Sequence, residues 1–504
     1  MASAQPAVGA RAVRGVAAGA ARILEAGAAR GAGAPGARRV AGTAGTALAL
    51  LLGACSLAPP LKVPDVPTAA AYKENGPWTQ ARPADRLPRD SWWALYDNAE
   101  LDALETRLIA GNPTLAAALA NYSAARALAD QARAGLFPTL GANASVSRAR
   151  DSVHTPLIGP TTPRYYNDNV LGGSASYELD LWGQIHNEVA AGEANAAAAG
   201  ADLENARLSL IAQLVGDYVQ LRSLDREDAI LEDTVTAFAR ALALTKQRHD
   251  AGIAAGLDVA QAETQLDATR SQAAQVLAQR ALMEHAIAAL LGVSASTFSI
   301  EPAIIVINLP QIPSGVPATL LQRRPDIAAA QRRMMAANAN IGVARAAYYP
   351  TLTLGAQGGF QSTAYSNWLS APSAFWAIGP NAVLSLFDGG LRRAQVAQAR
   401  AEFDASAADY RGVVVAAFQQ VEDSLAALNH YYDAAVQEKA EVDAAQRAVD
   451  LSMALYVQGA ADYLTVVTSQ TALLQAKLQA LTLDTLQLQA SVDLVRAVGG
   501  GWEA

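Results

Sequence analysis

Between residues 139 and 148 the chain alternates: Leu140, Ala142, Ala144 and Val146 are apolar, and Asn143, Ser145 and Ser147 are polar. The same period of two returns between 171 and 182, with Leu171, Ala175, Tyr177, Leu179 and Leu181 against Ser174, Ser176, Glu178 and Asp180. It returns again between 351 and 361, where Leu352, Leu354, Ala356 and Phe360 share a face, and less regularly between 375 and 387. Period two is the signature of a strand with two unlike faces. Four strands in two hairpins are therefore predicted, at about 139–182 and about 351–387.

After each hairpin comes a run without proline, 184–249 and 391–457. Each predicts one helix which, at 1.5 Å per residue, reaches about 100 Å. Each run ends at a glycine-containing turn, Gly252 or Gly459, and a returning helix follows. In the last helix Leu464, Val467, Thr471, Leu474, Leu478, Leu481, Thr485, Leu488, Val492 and Val495 are spaced by threes and fours. Beside this heptad seam runs a second stripe, Leu473, Ala476, Ala480 and Leu483. A helix with two such stripes touches a neighbour on either side, which lets helices close into a ring.

The plan occurs twice. Residues 112–140 align on 324–352 without gaps at an offset of 212, matching Pro113 to Pro325, Arg133 to Arg345, and Pro-Thr-Leu at 138–140 to 350–352. In each copy a proline suited to a first helical turn opens a helix of about 25 residues, and a second proline stops it. An internal duplication explains this better than the abundance of alanine does.

One apolar and one polar face per strand fit either a soluble sheet packed on helices or a membrane barrel with lipid outside and water inside. Four strands cannot close a barrel, for which about eight is the practical minimum, so a spanning sheet needs strands from several chains.

Composition narrows the choice of function. Apolar residues make up 52% of the chain and aromatic ones only 6%; the alanine-rich remainder suits close helix contacts. The single cysteine excludes a disulfide framework, and the five histidines lack metal-ligand spacing. Net charge is −8; without residues 1–54, 32 basic and 45 acidic residues remain, or −13, a poor surface for nucleic acid. No nucleophile elbow and no nucleotide-binding loop is present, so neither an enzyme nor an energy-coupling subunit is indicated.

That cysteine, Cys55, ends the stretch Leu52-Gly53-Ala54-Cys55, behind Arg38, Arg39 and the apolar run 40–54. The run is too short to span a bilayer and matches an export signal. The four residues resemble a bacterial lipobox, in which the cysteine is acylated and becomes the new N-terminus; Ser56 after it implies outer-membrane sorting. Cys55 is the expected point of lipid attachment, and no other cofactor is expected. Residues 1–54 read as a signal peptide with an atypical N-terminal extension, 55–97 as a lipid-anchored, proline-rich tether, 98–300 and 323–504 as the two repeats, and 301–322 as a proline-rich linker.

The ordered motifs "SWWALYDNAELDALE" (91–105), "YELDLWGQI" (177–185), "LLQRRPDIAAAQ" (320–331), "LSLFDGG" (384–390), "FQQVEDSLAAL" (418–428) and "VGGGW" (498–502) carry a resemblance. From Cys55 onward the chain resembles the outer membrane factors of tripartite efflux systems, in their NodT-type lipoprotein branch. The resemblance implies an α+β fold: a homotrimer with a twelve-stranded outer-membrane β-barrel, four strands per chain, continued by a long periplasmic α-helical barrel. It implies a passive exit duct for drugs and other toxic compounds, supplied by an inner-membrane transporter of the RND type through a periplasmic adaptor.

By the same resemblance the adaptor docks at the two helical tips, Arg248, Ala251, Gly252 and Ile253 on one and Gln458, Gly459 and Ala460 on the other. Asp462 is placed to cap the last helix; the resemblance implies in addition that it lies where the helices converge and acts as a periplasmic gate. Family members often carry Leu-Asp-Ala-Gln where this chain has Val467-Thr468-Ser469-Gln470, a departure that removes one carboxylate near the closed end. Two alternatives stay open: the outer-membrane component of type I protein secretion, and a lipid-anchored coiled-coil scaffold without a pore.

Overall fold

The computed structural model describes residues 56–65, 71–74, 92–152, 164–310 and 323–500. Residues 1–55, with the expected signal segment and Cys55, lie outside the described residues, as does the 311–322 part of the linker.

Each half of the chain is helix, helix, strand, strand or its shortened equivalent, followed by a long helix and its return. The first half holds α1 (Ala99–Gly111), α2 (Pro113–Ala134), β1 (Thr139–Arg150), β2 (Tyr165–Glu178), α3 (Gln184–Asp250) and α4 (Gly256–Leu290). The second holds α5 (Pro325–Ala346), β3 (Thr351–Ser362), β4 (Ala374–Val383), α6 (Leu391–Gln458) and α7 (Tyr463–Ala497). Pro113 and Pro325 both stand at the start of their helices, and α2 and α5 have 22 residues each. The duplication is thus matched element for element from α2 onward.

The strands form one antiparallel sheet in the order β1-β2-β3-β4. Near the sheet α3 packs between α2 and α5, with α6 beyond α5. Nearer the tips α3 packs between α4 and α7, again with α6 on the far side of α7. At either level one chain therefore lays four helices abreast, with α2 or α4 at one flank and α6 at the other.

The main core lies between these levels. Trp92, Trp93, Tyr96, Leu101, Leu104 and Leu108 pack on Leu214, Tyr218 and Leu221 of α3 and on Leu494 and Val495 of α7. The tryptophan pair is thus part of the main core. Inside it, buried Asp225 accepts from Arg222 Nη1 at 2.7 Å, Arg280 Nε at 2.6 Å and the Ala303 amide at 3.2 Å. Arg222 also meets Glu100 and Arg280 also meets Glu284, so every charge in this buried set is paired more than once or keeps a second partner. Two of the sequence motifs meet here as well: Arg324 donates to the carbonyl of Ala497 at 2.9 Å, and the φ +90° backbone of Gly499 passes against Arg323.

Three boundaries differ from expectation. β2 begins at Tyr165 and ends at Glu178, so Leu179 to Trp182 leave the strand. They form an elbow because the Asp180 carboxylate accepts from the His186 amide at 2.8 Å and Gly183 takes φ +71°, which together open α3. β4 ends at Val383, four residues early, in front of a second elbow at Gly390, φ +94°. In the heptad seam of α7 Leu464 is 52% exposed, and Tyr463, 2% exposed, takes its place with Val466. The aromatic ring fills the space between helices that a leucine leaves open.

Candidate functional site

Over the rows nearer the helices the register gathers apolar residues on one face of the sheet, while Arg148, Asn167, Asn169 and Ser362 follow on that face toward the outer end. Leu140, Ala142 and Ala144 stand opposite Ala175, Gly173 and Leu171, which stand opposite Ala356, Gly358 and Phe360; these in turn oppose Ile378, Trp376 and Ala374. In these rows that face is apolar. The other carries Asn143, Ser145, Ser147, Ser174, Ser176, Gln357, Gln361 and Asn381. A slip of one residue in any strand would mix the two sets.

The strand ends are staggered. Following the pairing across from Thr139 leads through Ser176 and Gly355 to Gly379, four residues above Val383, where β4 ends. Four residues are about 13 Å of strand and three strand spacings about 14 Å, a slope of about 43°. Strands of membrane barrels tilt by about 35–45°. The strands run 10 to 14 residues, enough to cross a bilayer at that tilt.

Where sheet passes into helices, Trp182 donates from Nε1 to the Pro350 carbonyl at 2.8 Å and stacks on Tyr349 at 4.7 Å. The chain following Cys55 is laid along this junction. Ser56 Oγ donates to Asn187 Oδ1 at 2.9 Å, Asn338 Nδ2 to the Pro59 carbonyl at 2.9 Å and Arg345 Nη1 to the Leu57 carbonyl at 3.1 Å. A Cβ on Gly342 would stand 2.9 Å from the Ala58 nitrogen, so glycine is required beneath this segment.

At the opposite end of α3 and α6 the two tips are built alike. Gly252 and Gly459 both take φ +75°, and the amides of Ile253 and Ala460 reach back five residues to the carbonyls of Arg248 (2.8 Å) and Leu455 (2.9 Å). This closure satisfies helix-end carbonyls and needs a left-handed residue, which is why glycine recurs. Ala251, Gly252, Ile253, Gln458, Gly459 and Ala460 are all exposed. Arg248 is not presented with them. Its Nη1 donates to the carbonyls of Tyr456 (2.9 Å) and Val457 (3.3 Å), and its guanidinium lies 4.6 Å from the centre of the Tyr456 ring. The cation thus sits at the C-terminal, negative end of α6.

Buried Tyr456 in turn packs on Tyr463 at 5.4 Å, and its hydroxyl is 3.2 Å from Thr245 Oγ1. Together with Ala241, Ala262 and Val466 these residues form a small core behind the tips. Sequence reasoning passed over Tyr456 and Tyr463, because they sit on two helices joined by the Gly459 turn and no helical period relates them.

Asp462 caps α7: its Oδ1 accepts from the Thr465 amide at 3.0 Å and from the Thr465 hydroxyl at 2.6 Å. These bonds hold its carboxyl below the usual aspartate range, so it is ionised at neutral pH. Among the described residues no group of histidine, cysteine, aspartate or glutamate is arranged to hold a metal ion, and no helix is long and apolar enough to cross a membrane.

The family described as outer membrane efflux protein matches residues 104–293 and again 316–500, once in each repeat. The chain is 31% identical to the outer membrane protein OprJ of Pseudomonas aeruginosa, over 92% of this chain and 96% of that one. It is 30% identical to the toluene efflux pump outer membrane protein TtgC of Pseudomonas putida, over 90% and 94%. Among solved structures, the outer-membrane channel OprN is similar with a TM-score of 0.82 and 29% identity, covering 89% of this chain and all of that one.

Proposed function

The chain belongs to the outer membrane efflux protein family, and from that premise we propose that three copies form the outer-membrane exit duct of a tripartite efflux pump. The observation that carries the proposal is the two-faced, tilted sheet with both edges unpaired. Since β1 and β4 are antiparallel and lie at opposite edges, β4 of one copy can pair with β1 of the next, and three copies close an all-antiparallel barrel of twelve strands.

The helices support the same closure. The flank that carries β1 also carries α2 and α4, with exposed Leu119, Leu128 and Leu277; the flank that carries β4 carries α6, with exposed Val415, Val436 and Leu451. Joining unlike flanks head to tail is a heterologous contact that closes as a ring.

In this duct the apolar face meets lipid, the polar face meets the exported solute, and α3, α4, α6 and α7 continue the wall through the periplasm. The lipid on Cys55 anchors each copy beside the junction where Ser56 is seated. The exposed tip residues dock an adaptor, which connects the duct to an inner-membrane transporter that supplies the energy. Three Asp462 carboxylates around the axis repel one another or recruit cations, restricting the resting pore and favouring cations over anions. A scaffold without a pore leaves the two-faced sheet without a purpose.

Currents across planar bilayers test this reading. The purified, acylated protein should form cation-preferring pores of low resting conductance; a protein of trimeric mass that never conducts would contradict the duct.

A further inference from the structure

On the polar face of the sheet one transverse row reads Asn143, Gly172, Gly359, Phe375, each residue standing opposite the next. Phe375 is the second residue of β4, near the end of the sheet away from the helices. Except for Tyr166 at the outer rim, it is the one aromatic side chain among the described residues of that face. Its position is unexpected, because a ring projecting from this face would stand in the path of whatever passes.

The ring does not project. A Cβ on Gly172, two strands away, would stand 3.5 Å from Phe375 Cζ, so the ring lies across Gly359 and ends over Gly172. Gly359 tolerates no side chain at all, since a Cβ there would collide with the Leu171 carbonyl oxygen and Gly172 Cα. At Gly172 a Cβ alone would be tight, 3.3 Å from Asn143 Oδ1 and from the Gly358 carbonyl oxygen, and a branched side chain would also meet the ring. Aromatic rings laid over strand glycines cover backbone that would otherwise be bare. Here the consequence reaches beyond stability, because the covered backbone belongs to the wall of a passage.

We infer that Gly172 and Gly359 form a recess that stows the Phe375 ring flat against the wall, and that this recess sets the bore of the duct near its outer end. The inference rests on the reading that the polar face lines the duct. Three copies place three such rings in the wall, so dislodging them narrows the passage from three sides at once.

The test is single-channel conductance of the full-length trimer in an Asp462→Ala background, which relieves the periplasmic constriction that would otherwise dominate the current, for the otherwise unaltered chain, Gly172→Val, Gly379→Val, Phe375→Ala and the Gly172→Val/Phe375→Ala pair. Gly379 is the control: it lies on the same face with nothing within 4 Å of its Cβ position. Gly172→Val should lower conductance by about two-fold or more, because pore diameter governs it, while Gly379→Val has a smaller effect. Removing the ring in the double variant should restore conductance to the level of Gly379→Val.

Phe375→Ala alone should leave conductance nearly unchanged, because a stowed ring occludes little. This variant also decides the question if Gly172→Val does not assemble. Equal effects at Gly172 and Gly379, no recovery in the double variant, or a large rise in Phe375→Ala would each overturn the recess. An otherwise unaltered trimer without any conductance would instead remove the duct reading on which it depends.

Discussion

The guanidinium of Arg248 lies 4.6 Å from the centre of the Tyr456 ring and donates to the Tyr456 carbonyl at 2.9 Å, which ties the last turn of α3 to the last turn of α6. The two tips of one chain are therefore braced to each other. Arg248→Ala should loosen them by about 1–2 kcal/mol, the combined worth of a charge-assisted hydrogen bond and a cation–π contact at a half-exposed site. Faster amide hydrogen exchange at 241–262 and 453–466, with protection unchanged in α1, is the expected result; uniform protection in the variant would show that the brace carries no load.

Asp462 separates cap from charge. Asp462→Asn retains a good cap and removes the charge, so it should weaken cation selectivity while changing stability little. Asp462→Ala should lose both the cap and the charge. Because the folded carboxyl titrates below its ordinary range, its stabilising effect is present above the unfolded value of about 3.9 and is lost as pH falls through the lower folded value. Equal selectivity in wild type and Asp462→Asn would leave the residue as a cap only.

Glu105 is fully buried in the main core, and neither carboxylate oxygen has a hydrogen-bond partner. Burial, with Asp102 nearby, pushes its carboxyl up to about 9. The folded state thus holds a proton that the unfolded chain releases near pH 4.3, so this group's contribution falls as pH rises from about 4 toward 9. Glu105→Gln should flatten that decline and raise the melting temperature at pH 8, by about 1 kcal/mol or more in stability. Melting curves at pH 5 and pH 8 that shift in parallel for wild type and variant would refute the buried, protonated acid.

Gly342 is the seat of the segment that follows Cys55. Gly342→Val brings a side chain against Asn187 and the Ala58 nitrogen, and should release residues 56–65 from α5. Protease cleavage within 56–65 should rise by about ten-fold or more, while α5 itself stays protected. Resistance equal to wild type would show that the segment is held elsewhere.

These predictions rest on elements that were unequally legible. α3 and α6 were readable to within a residue or two because no proline interrupts them and glycine closes both ends. The tips were readable for the same reason, and Asp462 as a cap from its spacing to Thr465. The start of β2 was hidden, since Asn167, Asp168 and Asn169 break the alternation and are residue types that favour turns. Within the strand Asn169 Nδ2 donates to the Ser362 carbonyl at 3.0 Å and Gln361 Nε2 to Asp168 at 2.9 Å, contacts with β3 that no local pattern shows. The Arg248 brace joins residues 208 positions apart, a pairing that no local pattern encodes. Phe375 escaped notice because its meaning depends on glycines in two other strands, which only the register brings beneath it.

The most direct measurement of the central claim is a single-particle electron cryo-microscopy map of the full-length protein in lipid nanodiscs. The account predicts three copies around one axis, with β4 of each paired antiparallel to β1 of the next, twelve strands in the bilayer and the apolar face outward. A sheet of four strands that stays open against its own helices, or a ring in which like edges meet, would contradict it.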